Sequence, residues 1–264
     1  MLQQSVQKQY RPLSILMVFT LLVTVFAALM PQLNPAGAAE RGKVRVRIVH
    51  AVPDFGPVDV YIKNTKRLSN VSFFTVSEYL TLAPGSTKVQ VVAAGRTPSH
   101  SNSVVDTSFT FVSGQDYSVV ARGTASSSDS AGVGGTLVTD DTSLPAFGQA
   151  RVRVAHFSPD APAVDIYANG AKVLDALSYL NTSGYLDVPA GTYTFGVAPA
   201  GGSVIYTTTA TLAAGQVATA WANGLLSGSG AQAFKVTPTI DAQASGVARI
   251  RILHGAPDAP SVDV

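Results

Sequence analysis

His50, Asp54 and Asp59 lie within HAVPDFGPVDVY, and His156, Asp160 and Asp165 occupy the same places in HFSPDAPAVDIY. In each string the two aspartates follow the histidine by four and by nine residues. An imidazole with two carboxylates could ligate a cation, and with a nearby hydroxyl it could act as the base of a nucleophilic triad. The second chemistry meets an obstacle at once. Ser158 lies inside the second string, but Val52 occupies its place in the first. A cation site is also poorly served. Zinc prefers a closed tetrahedral cluster, and calcium needs more oxygen ligands than two carboxylates provide.

A structural account covers the same residues. In the strand before the second string, Val152, Val154 and His156 fall on one face, and Arg151, Arg153 and Ala155 on the other. Pro159 presets a turn in which Asp160 can accept backbone N–H groups, and Pro162 starts the next strand. Val164 and Ile166 then point to the core, with Asp165 and Tyr167 on the opposite face. If the two strands pair as a hairpin, Asp165 stands beside Arg153 on an outer sheet surface. The six residues are therefore expected to be structural, with no metal, no cofactor and no catalytic group. The sequence also has no Gly-x-Ser-x-Gly elbow, no His-Glu-x-x-His and no cysteine nucleophile. Tyr79, Tyr185 and Trp221 fall on strand patterns and read as core rather than as a sugar platform.

The elements that carry these strings form a repeat. Arg45-Val-Arg-Ile-Val-His50 recurs as Arg151-Val-Arg-Val-Ala-His156 and as Arg249-Ile-Arg-Ile-Leu-His254. The first two copies run in step at an offset of 106 residues, which becomes 101 by Ser113-Gly-Gln-Asp-Tyr117. Short alternating runs in the first copy predict strands at 44–50, 58–62, 79–82, 87–93, 104–112, 117–121 and 136–139. Ala83-Pro84-Gly85, Ser113-Gly114 and Ala214-Gly215 supply turn chemistry between them. The pattern predicts an all-β protein of tandem immunoglobulin-like antiparallel β-sandwich domains, one at 43–142 and one at 150–240. The segment 247–264 reads as the truncated start of a third copy. The joints at Ser143–Gln149 and Pro238–Gly246 predict linked sandwiches rather than one fused core. The loops at Pro98–Ser103 and Thr124–Gly135 are expected to be exposed, the second being longer than its counterpart.

Lys8 and Arg11 precede an uncharged apolar run, Leu13 to Met30, followed by Pro31, Pro35 and Ala36-Gly37-Ala38. This reads as a signal peptide over 1–38, favoured over a retained anchor because the small-residue cleavage site is in place. Its removal leaves 16 basic and 16 acidic residues. A formally neutral chain has no basic stripe for phosphates, so nucleic acid is not an expected partner. The absence of cysteine excludes disulfides and thiol chemistry.

RVRVAHFSPDAPAVDIYANG, followed by YLDVPAGTYTFGV, resembles the domain of unknown function 4397 of bacteria and archaea. The resemblance spans both copies and the start of the third. It implies tandem β-sandwich domains on secreted or surface proteins, and it implies no activity. The expected function is a non-catalytic scaffold at the cell envelope, extracellular and without a stable membrane span once the signal is cut. The alternative is a carbohydrate- or polymer-binding module. The expected partner is an extracellular protein or a polysaccharide. The third copy breaks off within its second strand, which reads as a fragment of a longer repeat protein. The other reading is strand pairing between chains through Ala248 to Val264.

Overall fold

The computed structural model describes residues 42–127 and 132–244. The predicted signal peptide and the start of the third copy lie outside them. Among the described residues no helix is long and apolar enough to cross a membrane.

Among the described residues eight strands build each repeat. In the first they are β1 (Val44–Ala51), β2 (Val58–Ile62), β3 (Thr65–Val71), β4 (Leu80–Leu82), β5 (Gly85–Ala93), β6 (Ser103–Phe111), β7 (Asp116–Arg122) and β8 (Gly134–Asp140). The second contains β9 (Gln149–His156), β10 (Val164–Ala168), β11 (Ala171–Leu177), β12 (Leu186–Pro189), β13 (Gly191–Pro199), β14 (Tyr206–Leu212), β15 (Gln216–Asn223) and β16 (Lys235–Gln243). They form four sheets, ordered β4-β1-β7-β8 and β3-β2-β5-β6 in the first repeat, β12-β9-β15-β16 and β11-β10-β13-β14 in the second. Each repeat is thus a two-sheet sandwich, antiparallel except where β1 pairs with β7 and β9 with β15 in parallel.

This topology corrects the expected hairpin. β1 and β2 lie in different sheets, so the Pro-Asp string is the crossover between the two layers and Asp165 does not stand beside Arg153. β2 instead makes its hairpin with β3, a strand the sequence reading missed. TKRLSNV is polar and largely exposed, so it has no apolar alternation to reveal it. Its turn carries the signal. Lys63 and Asn64 both have positive φ, 49° and 63°, between the paired residues Ile62 and Thr65, which is the two-residue geometry of a tight hairpin. Asn169-Gly170 repeats it between β10 and β11, with φ of 50° and 84°.

One joint and one loop also differ from expectation. Pro238 lies inside the edge strand β16, opposite Ala220, where its missing N–H costs no sheet hydrogen bond. The β7–β8 and β15–β16 connections, 123–133 and 224–234, are equal in length. The change of offset belongs to the β5–β6 connection, 94–102, against 200–205 in β13–β14.

The first sandwich is filled by Val46, Ile48, Val60, Val89, Val91, Phe109, Phe111, Tyr117 and Val119, all buried. The second has a smaller buried set, Val164, Ile166, Leu177 and Val197. A third cluster joins the repeats: Val49, Ala51, Val120 and Val138 of the first pack with Ala155, Phe157 and Trp221 of the second. Each sandwich thus keeps a core of its own, as expected, but the shared cluster places both in one compact unit beginning at Lys43, so they are packed together rather than merely linked. The β1 and β9 faces carrying Arg47 and Arg153 are outward only within a single repeat. Between repeats they meet.

Candidate functional site

The conspicuous polar residues of the string go to separate partners. His50 is 1% exposed and His156 is fully buried. Nε2 of His50 lies 3.1 Å from the Gly56 carbonyl, and Nε2 of His156 3.0 Å from that of Pro162. A carbonyl only accepts, so Nε2 carries the proton and Nδ1 accepts the amide of Val52 or Ser158. Each imidazole thereby clamps its own crossover shut, and burial lowers its pKa.

Asp54 and Asp160 each accept a backbone N–H of the turn that contains them, as expected, but their principal partners lie outside it. Asp54 accepts the amides of Ala125 and Ser126 at 2.7 and 3.0 Å. Asp160 accepts those of Leu226 and Ser227 at 2.8 and 2.9 Å. Each carboxylate thus ties the crossover to the connection after β7 or β15. Burial raises their pKa values, and the amides more than reverse this. Asp59 and Asp165 are buried beneath the β2–β3 and β10–β11 hairpins. Asp165 accepts Lys172 Nζ at 2.6 Å and the amides of Ala176 and Gly201 at 2.9 and 3.0 Å. Asp59 makes the same three bonds with Lys66, Asn70 and Gly95. The Lys172 ammonium, followed by the two amides, holds the Asp165 carboxyl well below the usual carboxylate range. No trio of candidate ligands converges at either string, and among the described residues no group of three or more His, Asp or Glu side chains is placed to hold a metal.

These directions predict acid destabilisation in two stages. The unfolded chain takes up imidazole protons near pH 6.5, whereas the folded chain holds both histidines neutral below that value. Stability therefore falls as pH drops through about 6.5, by up to about 1.4 kcal/mol per pH unit for each imidazole. The depressed aspartates retain their contribution to lower pH, and it is lost only below their ordinary value, about 3.9. Urea unfolding at pH 7.5 and 5.0 should show the first stage, and H50Q/H156Q should flatten it. An unchanged slope in that variant would refute the assignment to histidine.

The residues that do converge are the second arginines of the repeated strand. Arg47 and Arg153 are each 2% exposed. The Arg47 guanidinium lies 2.7 Å from Asp241 of the second repeat, an ion pair set off the direct hydrogen-bond line. Arg153 pairs with Asp140 of the first and donates to the Thr139 carbonyl at 2.7 Å. Within each repeat a hydroxyl links the charges: Ser118 accepts from Arg47 Nε at 2.7 Å and donates to Asp140, while Thr219 accepts from Arg153 Nε at 2.9 Å and donates to Asp241. Tyr79 and Tyr185 close the network, donating to Asp140 at 2.7 Å and to Asp241 at 3.1 Å. Their rings lie under Arg47 and Arg153 at 5.0 and 4.7 Å. Two arginines and two aspartates cancel. Burial lowers the Arg47 pKa, but Asp241 and Asp140 outweigh it and raise the value overall. Burial first, then Asp140, raises that of Tyr79, which keeps its proton to donate.

The exchange is reciprocal, each arginine meeting the other repeat's aspartate, so the two copies are related by a pseudo-two-fold. The apolar part breaks the symmetry usefully. Val49, Ala51 and Val120 in the first repeat correspond to Ala155, Phe157 and Trp221 in the second. Bulk on one side meets small residues on the other. Phe157 and Phe74 flank the Trp221 ring at 5.5 and 6.4 Å. Trp221 is fully buried, as the sequence reading expected, though between repeats. The sequence reading placed Arg153 on an outer surface, because alternation within one strand reports a face and not what covers it.

Comparison with solved structures returns distant likenesses. A streptococcal virulence factor described as binding α-glucan is 13% identical with a TM-score of 0.22, covering 69% of this chain and 92% of its own. The family 26 carbohydrate-binding module of Eubacterium rectale Amy13K, in complex with maltoheptaose, is 10% identical with a TM-score of 0.23, covering 77% and 98%. A leucine-rich repeat protein from Bacteroides thetaiotaomicron VPI-5482 is 14% identical with a TM-score of 0.17, covering 67% and 25%. Likenesses this weak carry no inference about a ligand. None of the curated proteins compared with the chain matches it. The family model for the domain of unknown function DUF4397 matches twice, over residues 44–167 and 152–264. With the repeated Arg-x-Arg strand and its His-Pro-Asp crossover now accounted for, the chain belongs to the DUF4397 family.

Proposed function

We propose that the protein is a non-catalytic, secreted or cell-surface scaffold of the envelope, in which two sandwiches act as one stiff spacer. The supporting observation is that the histidine, aspartates and second arginine of each string are bonded inside the fold. The groups that could have done chemistry hold loops and repeats together instead. The signal-like N-terminus and neutral mature charge favour export.

The carbohydrate-binding alternative keeps one supporting feature, the unequal β5–β6 and β13–β14 connections. Three aromatics do not support it, since Trp221 is enclosed and the rings of Tyr79 and Tyr185 lie under arginines. Expression of the full chain in a bacterial host, with fractionation and N-terminal sequencing, tests the main reading. A product outside the cytoplasm beginning at Ala39 is expected. A cytoplasmic product beginning at Met1 would overturn it. A polysaccharide pull-down with the same material should be blank, and saturable binding would favour the alternative.

A further inference from the structure

The two sandwiches are built on one pattern but are not equally full. Strand register aligns Phe109, Phe111, Tyr117 and Val119 of the first core with Ala210, Leu212, Ala218 and Ala220 of the second. Two aromatic rings become methyl or isobutyl groups, a phenol becomes a methyl, and a valine becomes an alanine. Opposing gains accompany these losses: Val89 becomes Phe195, Val105 Tyr206, Val60 Ile166, Val133 Phe234 and Gly135 Val236. A cavity of about 120 Å³ remains between the sheets of the second repeat, bounded by Val154, Ile166, Val197, Leu212, Ala218 and Ala220 among others. The half-exposed Val173 and Leu186, at 46% and 48%, stand at its edge on the outer strands β11 and β12.

We infer that this cavity is a binding site for a small uncharged apolar molecule, a hydrocarbon of about benzene size. The volume is of the order that holds benzene or xenon in an apolar protein interior and stays dry without them. The lining excludes other classes. Its only charged residue, Arg153, directs its guanidinium out to Asp140, Thr139 and Thr219. The Ser183 hydroxyl is already bonded to the Val154 amide and the Gly184 carbonyl. Thr208 and Thr209 also border the cavity, on β14 alone. A carboxylate or ammonium would find no counter-charge, and a sugar would leave most of its hydroxyls unpaired. The site is independent of the envelope role, because it needs only the second core.

The experiment uses the protein with both repeats, labelled at valine and leucine methyls, and benzene as probe. Saturable shifts are expected at Val154, Val197 and Leu212, while Val46, Val91 and Val119 of the first core stay still. A218Y, which installs the first repeat's own side chain, should abolish the response. A220V fills less space and is the variant to read should A218Y fail to fold. It should weaken binding about tenfold or more, the effect of a methyl-sized change in an apolar pocket. Equal shifts in both cores, shifts that never saturate, or benzene binding undiminished in A220V would each overturn the assignment.

Discussion

Asp140→Ala is expected to destabilise the protein by about 3–5 kcal/mol, the cost of removing one partner from a buried ion pair. Asp140 serves Arg153 from the other repeat, Arg47 at 3.3 Å, and the hydroxyls of Tyr79 and Ser118. Its loss leaves Arg47 with Asp241 alone and Arg153 reaching a carboxylate only through the Thr219 hydroxyl, both guanidinium groups being 2% exposed. That loss is a large part of the roughly 5–15 kcal/mol that holds a domain folded. Guanidinium chloride unfolding would measure it, with a ready reporter. Trp221 is the sole tryptophan and lies in the cluster between repeats, so its emission follows their separation while far-ultraviolet circular dichroism follows the strands. The first arginine of the string supplies the control. Arg45 pairs with Asp116 in a half-exposed setting, so Asp116→Ala should cost no more than about 1 kcal/mol. A similarly small loss for Asp140→Ala would refute the buried network. Replacing Arg47, Arg153, Asp140 and Asp241 together with apolar residues of matched volume should cost less than Asp140→Ala alone, since no charge is then left without a partner and only the hydroxyls of Tyr79, Tyr185, Ser118 and Thr219 lose theirs.

Trp221→Ala should cost about 3–5 kcal/mol, the range for emptying a buried aromatic site. The ring contacts Phe157 and Phe74, and its Nε1 donates to Thr239 at 2.9 Å. The void would open between the repeats, while the first sandwich keeps its own filled core. Denaturation followed by circular dichroism should therefore change shape as well as midpoint, the single transition of the wild type dividing into two. One cooperative transition at a midpoint near wild type would contradict the shared cluster. The converse change, Val120→Trp, puts bulk where the second repeat already supplies it, and should cost about 1–3 kcal/mol through overpacking.

The sequence disclosed the repeat, the two-sheet class and seven of the first repeat's eight strands, because β1, β2 and β4–β8 alternate or run apolar between turn residues. It hid β3, whose residues mostly face solvent, with only Leu68 and Val71 turned to the core. Pairing was harder than existence. The string between β1 and β2 has the length and turn chemistry of a hairpin, yet β1 takes β7 and β4 as neighbours while β2 takes β3 and β5. Local sequence carries no information on which long-range partner satisfies a strand edge. The placement of histidine on the buried face was legible from alternation alone. The use of Arg47 and Arg153 was not, because it depends on a second copy covering the face. The emptiness of the second core was written in Ala210, Ala218 and Ala220, but reading it required the strand register that aligns them with Phe109, Tyr117 and Val119.

The reciprocal exchange of Arg47 with Asp241 and Arg153 with Asp140 has a consequence for arithmetic along the chain. A contact that uses the same face of both members is saturated by two of them and does not propagate. In this chain the exchange closes on two sandwiches: both buried arginine faces are covered, each by the other, and the pair presents neither of them to a third sandwich.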